Sequence, residues 1–119
     1  MLYFDDNVDN AESLTDYLTS VDVQTSFVNS SGMSPKEALA RVNALQPQAV
    51  LIDISWVLGD DDNRDGLDAG KEVSKHHPVV IISSSTKHEK EAKQYGIFCP
   101  RSDYLAIASA LRTCIEAVS

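Results

Sequence analysis

Apolar positions along the chain change period again and again. "LYFDD" (2–6) opens on a short apolar run, after which Leu14, Tyr17, Leu18 and Val21 recur at helical spacing. Asp9 followed three residues on by Glu12 resembles a capping box at the start of that helix. "VQTSFV" (23–28) is β-branched and aromatic and predicts a second strand. In "SPKEALARVNALQP" (34–47), Ser34 as N-cap, Pro35 in the first turn, Glu37 three residues after the cap and a stop before Pro47 predict a second helix. "AVLIDI" (49–54) is nearly all apolar, as a strand covered on both faces must be, and residues 67–75 form a modest helix after a polar loop. "VVIIS" (79–83) is the next buried strand. A polar helix from about 87 to 95 leads to "GIFC" (96–99), and Ser102 caps a last helix whose Leu105, Ala108, Leu111 and Ile115 form the apolar face.

Five βα units predict an α/β fold: a parallel five-stranded sheet between helical layers, a (βα)5 flavodoxin-like three-layer sandwich with strand order 2-1-3-4-5. Ligands in such sheets gather at the carboxyl ends of the strands, where Asp5, Asp6, Asp53 and Ser83 all fall. The first and third strands are neighbours in that order, so Asp5 and Asp6 face Asp53 across one crevice. Adjacent carboxylates disfavour each other's ionised form, and a cation between them relieves the repulsion. Three carboxylates without His or Cys suit a hard cation, and a small, water-accessible site suits Mg2+.

Length and composition narrow the function classes. At 119 residues the chain fits a single domain, 1–119. Its 43% apolar and 24% charged residues are those of a soluble globular protein, and no apolar stretch approaches the roughly 20 residues that span a bilayer. No secretory signal is visible at the N-terminus, which makes the cytoplasm the expected compartment; Met1, close before Asp5, reads as a native start. Cys99 and Cys114 form no CxxC pair and read as reduced thiols. A net charge of −8 argues against a direct nucleic-acid footprint.

With these residues in place the chain resembles a family. "DDNVDNAESLTDYL" (5–18) resembles the first strand end and helix of response-regulator receiver domains of the chemotaxis type, "PQAVLIDI" (47–54) their third strand, and "VVIISS" (79–84) their fourth. The resemblance implies that Asp5 and Asp6 bind Mg2+, that Asp53 is both metal ligand and phosphoacceptor, that the Ser55 carbonyl completes the metal shell, and that the Ser83 hydroxyl bonds the phosphoryl group. It implies a signalling domain of a His-Asp phosphorelay, with no enzymatic activity beyond its own phosphorylation and dephosphorylation. Its partners would be a sensor histidine kinase or histidine phosphotransfer protein and an output protein or domain. The sequence departs from the family at several points. The family's Lys-Pro at the end of the fifth strand is here Cys99-Pro100, with Lys87 and Arg101 as nearby cations. The family's switch aromatic falls on Gly96, beside Tyr95, and the loop after Asp53 is longer than usual.

Alternatives stand beside this reading. Asp61, Asn63, Asp65, Gly66 and Glu72 satisfy the EF-hand pattern for calcium, but a buried strand precedes the loop where a helix belongs, so a solvated acidic loop is the plainer reading. His76, His77 and His88 read as exposed loop residues, and Cys99 as a small buried hydrophobe or a redox sensor. Trp56 reads as a docking anchor or as cover over the loop. Haloacid-dehalogenase-type phosphohydrolases also combine a nucleophilic Asp, a Ser at a strand end and an acidic pair, and they often carry a proton-donating acid two residues after the nucleophile; here that residue is Ser55. A pseudo-receiver that binds partners without taking phosphate is the third class.

Overall fold

The computed structural model describes residues 1–60 and 62–118. Strands β1 (Leu2–Asp5), β2 (Ser26–Asn29), β3 (Val50–Asp53), β4 (Val79–Ser83) and β5 (Ile97–Pro100) alternate with helices α1 (Val8–Ser20), α2 (Pro35–Leu45), α3 (Asp65–Val73), α4 (Glu89–Ala92) and α5 (Tyr104–Val118). The strands form one parallel sheet in the order β2-β1-β3-β4-β5. This is the flavodoxin-like arrangement that the alternation of periods predicts.

Side chains alternate across each strand, so the sheet divides the core in two. Leu2, Phe4, Val50, Ile52, Val79 and Ile81 pack on one face against Ala38 and Val42 of α2 and Leu67, Ala69 and Val73 of α3. Tyr3, Leu51, Val80 and Ile82 pack on the other against Ala11, Leu14 and Leu18 of α1 and Ile107, Ala108, Leu111 and Cys114 of α5. Both faces are covered, which is why β3 and β4 read as unbroken apolar runs.

Local chemistry explains where the boundaries fall. Ser34 caps α2 as predicted, accepting from the Glu37 amide at 3.2 Å. At α1 the cap is Asn7, which accepts from the Asn10 amide at 3.1 Å; Asp9 lies in the first turn, where its charge complements the helix dipole, and the Asp9–Glu12 box does not form. At α5 the cap is Asp103, which accepts from the Ala106 amide at 3.1 Å, in place of Ser102. The buried stripe of α5 runs through Ile107, Ala108, Leu111 and Cys114, while Leu105 is 76% exposed. That helix is apolar on more than one face, so period alone leaves the inward stripe undetermined. Strand β2 is an edge strand and begins at Ser26, not Val23. Helix α4 is a single turn, shorter than the predicted 87–95, because Ala92 is the one residue it buries.

Two aromatic positions differ from expectation for reasons of packing. Trp56 is buried and stacks on Phe4, ring centroids 5.9 Å apart, so it is a core residue and no docking anchor. Trp56→Ala is expected to lower stability by about 3–5 kcal/mol, read as the shift in a urea unfolding midpoint; an unchanged midpoint would place the ring outside the core. At Gly96 a Cβ would lie 2.2 Å from the Val79 carbonyl oxygen. This close approach of β5 to β4 leaves no space for the aromatic that the family pattern puts there; Tyr95 instead packs half-buried on the α3 side and donates from its hydroxyl to Glu91 at 3.2 Å. No helix among the described residues is long and apolar enough to cross a membrane.

Candidate functional site

Strands β1 and β3 are adjacent and in register, Phe4 opposite Ile52, so the carboxylates that end them stand side by side. Asp5, Asp6 and Asp53 each offer an oxygen within 4.8 Å of the others, and all three are buried. They form the only cluster of three or more His, Cys, Asp or Glu residues with metal-ligand spacing among the described residues. An all-carboxylate, all-oxygen donor set is chemically matched to a hard divalent cation.

A cation of the chain's own already reaches into the cluster. Arg101 Nη2 pairs with Asp5 Oδ2, and Nη1 pairs with Asp53 Oδ2 at 3.0 Å, so one guanidinium bridges the two strand-end carboxylates. The backbone explains how it arrives there: the Arg101 amide donates to the Ser83 carbonyl at 3.0 Å, carrying the β4–β5 ladder one residue past Pro100. Lys87 turns the other way and pairs with Asp62. Cys99 lies buried in the core on the α1/α5 side, where burial pushes its thiol up, as for a small hydrophobe; nothing at the site supports redox sensing.

Asp5 is further held by two donors that sequence reasoning missed or left unassigned. The Tyr3 hydroxyl donates to Asp5 Oδ2, and the Asn7 amide donates to Asp5 Oδ1 at 2.9 Å. Tyr3 stands two residues before Asp5 and therefore on the same side of the strand. That parity is the signal in the sequence, obscured because Tyr3 reads as one more apolar strand residue. Burial above all, then the neighbouring Asp5, pushes the Tyr3 phenol far up, so it stays protonated and donates. Burial, with the Asp5 charge adding to it, likewise raises Asp53 to about 8 against the opposing pull of Arg101. Asp6 is raised mainly by burial.

The remaining predicted residues line the same crevice. A cavity of about 170 Å3 lies over Asp53, bounded by Asp6, Ser55, Ser83, Arg101 and the turn Val57–Asp60. The Ser55 hydroxyl donates to the carbonyls of Asp60 (2.7 Å) and Val57 (3.1 Å) and so shapes that turn. Ser83 Oγ accepts from the Ser85 amide at 3.1 Å, leaving its own proton to donate. Of the EF-hand residues, Asp61 lies outside the described residues. Asn63 Oδ1 accepts from the Trp56 and Asp65 amides, Gly66 is buried against Asp53, and Glu72 pairs with Lys75 at 2.9 Å. None of the three histidines joins the acidic cluster.

The sequence matches no protein-family model and no curated relative. Solved structures match it over nearly its full length. The receiver domain of the Francisella response regulator 1452 superposes with a TM-score of 0.76 at 19% identity, covering 99% of this chain and 97% of its own. The NtrX receiver domain from Brucella abortus gives 0.68 at 25% identity, covering 97% of both chains. The response regulator TrrA from Thermotoga maritima, solved in complex with Mg2+ and BeF, gives 0.77 at 14% identity, covering 95% of this chain and 96% of its own. Strand order, helix placement and these superpositions agree that the chain has the fold of, and resembles along nearly its entire length, the receiver domains of response regulators.

Proposed function

We propose that residues 1–119 are a single receiver-like signalling domain that accepts a phosphoryl group on Asp53 in a two-component phosphorelay. The observation that carries this reading is the convergence of Asp6, Asp53, Ser55, Ser83 and a guanidinium on one small cavity at the carboxyl ends of the strands. In the proposed transfer an Asp53 oxygen attacks phosphorus in line, the P–N bond to a donor histidine breaks, and the imidazole leaves with the bond electrons. A Mg2+ ion held by Asp5, Asp6, Asp53 and the Ser55 carbonyl would neutralise charge on the phosphoryl oxygens. Ser83, which lines the same cavity, would donate its hydroxyl proton to one of those oxygens. Arg101, whose guanidinium reaches Asp53, would supply the charge-assisted bond that the Cys99 thiol, a weak donor, cannot make. The partners of such a domain are a sensor histidine kinase or phosphotransfer protein and an output protein or domain, in the cytoplasm and without direct contact to nucleic acid.

The phosphohydrolase reading has less support. The residue two positions after Asp53 is Ser55, whose hydroxyl is committed to two backbone carbonyls, so no carboxyl group stands there to protonate a leaving alcohol. The pseudo-receiver reading has one observation in its favour, the ion pair that Arg101 already makes with Asp53. Intact mass after incubation with Mg2+ and a small-molecule phosphodonor separates the two. Wild type is expected to gain one phosphate, in a Mg2+-dependent manner, and Asp53→Asn none. A wild type that stays unmodified under these conditions would favour interaction without phosphorylation.

A further inference from the structure

We propose that Arg101 is the resident counter-cation of the acidic cluster and sets its affinity for divalent ions, so that metal binding at this site is an exchange with a guanidinium. This rests on the reading of Asp5, Asp6 and Asp53 as a metal site. The geometry behind it is specific. One guanidinium bridges carboxylates on two different strands, and the Asp5 end of the bridge is itself fixed by the Tyr3 hydroxyl and the Asn7 amide. Between them these three donors engage both oxygens of Asp5, and the guanidinium takes one oxygen of Asp53. Of the three acids, Asp6 and Asp53 line the cavity and Asp5 does not.

Charge and space both favour exchange. A dication entering the cluster meets a fixed positive charge at hydrogen-bond distance from two of its three acids, and must either draw on fewer carboxylate oxygens or move the guanidinium aside. The side chain has somewhere to go. Arg101 lines the cavity over Asp53 and also a neighbouring one of about 290 Å3 bounded by Asn10, Ser84, Ser102 and Tyr104. The guanidinium can therefore leave Asp53 for that second cavity without disturbing the β4–β5 ladder, which is held by the Arg101 backbone amide.

The test is calorimetric titration of Mg2+ into wild type, Arg101→Met and Arg101→Lys at one pH and ionic strength, with melting temperature followed in parallel. Arg101→Met is expected to bind Mg2+ at least tenfold more tightly than wild type. It is also expected to melt lower than wild type without metal and to recover most of that loss in Mg2+, because the ion then supplies the counter-charge. Arg101→Lys keeps the charge and serves if the Met variant is poorly folded without metal; a single ammonium cannot bridge both carboxylates as the fork does, so its affinity is expected to fall between the other two. Equal Mg2+ affinity in wild type and the folded variants would overturn the exchange while leaving the metal site standing. No binding by any of the three at millimolar Mg2+ would overturn both.

Discussion

Gly66→Ala is expected to destabilise the protein by about 3 kcal/mol or more, at the upper end of what a single added methyl group does in a packed interior. A Cβ on Gly66 would sit 1.8 Å from the Asp53 carbonyl oxygen and 2.8 Å from that of Ile54. Both obstacles are backbone atoms of β3 and its continuation, so no rotamer change relieves the clash. The Gly66 amide also donates to the Ile54 carbonyl at 2.8 Å, so backing α3 away from the strand would break the bond that seats the helix. The measurement is a chemical denaturation curve, with α3 and the Asp53 loop expected to show the earliest loss of amide protection. A variant as stable as wild type would mean that α3 does not approach β3 this closely. Any surviving folded fraction is expected to bind Mg2+ poorly, since the Asp53 backbone is what the methyl group displaces.

The metal-free protein is expected to lose stability as pH rises, and Asp53→Asn to remove most of that loss. Burial, then the Asp5 charge, raises Asp53 from its ordinary 3.8 to about 8. Between those values the folded chain keeps a proton that the unfolded chain releases, so stability falls across that window and levels off above about 8. Each pKa unit is worth about 1.4 kcal/mol, so the drop is on the order of several kcal/mol. Asp6, raised in the same direction, adds to it. Above the midpoint of the window Asp53→Asn is expected to be more stable than wild type, because an amide of the same shape carries no charge into the cluster. Urea midpoints from acidic to mildly alkaline pH, in chelator, read the effect. A wild-type curve flat over that range would show that the Arg101 bridge fully compensates the Asp53 charge. Mg2+ is expected to flatten the slope by favouring the ionised carboxylates.

The alternation of helical and strand periods was enough to order all five βα units along the chain, and the strand order 2-1-3-4-5 came with the flavodoxin-like fold class. Asp5, Asp6, Asp53 and Ser83 were legible as a group because each is polar at the end of an apolar run, a position that sheet topology turns into one crevice; Ser55 came only with the family resemblance. Element ends were less legible where several polar residues compete. Asn7 outcompetes the Asp9–Glu12 pair, and Asp103 outcompetes Ser102, because a cap is chosen by which side chain meets a free amide after the loop has taken its path. The inward stripe of α5 was ambiguous for a related reason: Leu105 and Ile107 are equally apolar, and only docking on β4 and β5 exposes one and buries the other.

The amino-acid order determined the βα alternation, the parallel sheet and the acidic strand ends, since these rest on period and on short-range capping, both of which are written in neighbouring residues. It did not determine which cation stands in the site. Lys87 and Arg101 are equally charged and similarly near in sequence. The β4–β5 ladder runs one residue past Pro100 and delivers Arg101 to Asp5 and Asp53, while Lys87 leaves β4 toward Asp62. The closed space at Gly96 and the burial of Trp56 are of the same kind. Each depends on how closely two backbones or two layers approach, a distance set by the packing of residues far apart in the chain and carried by no local pattern.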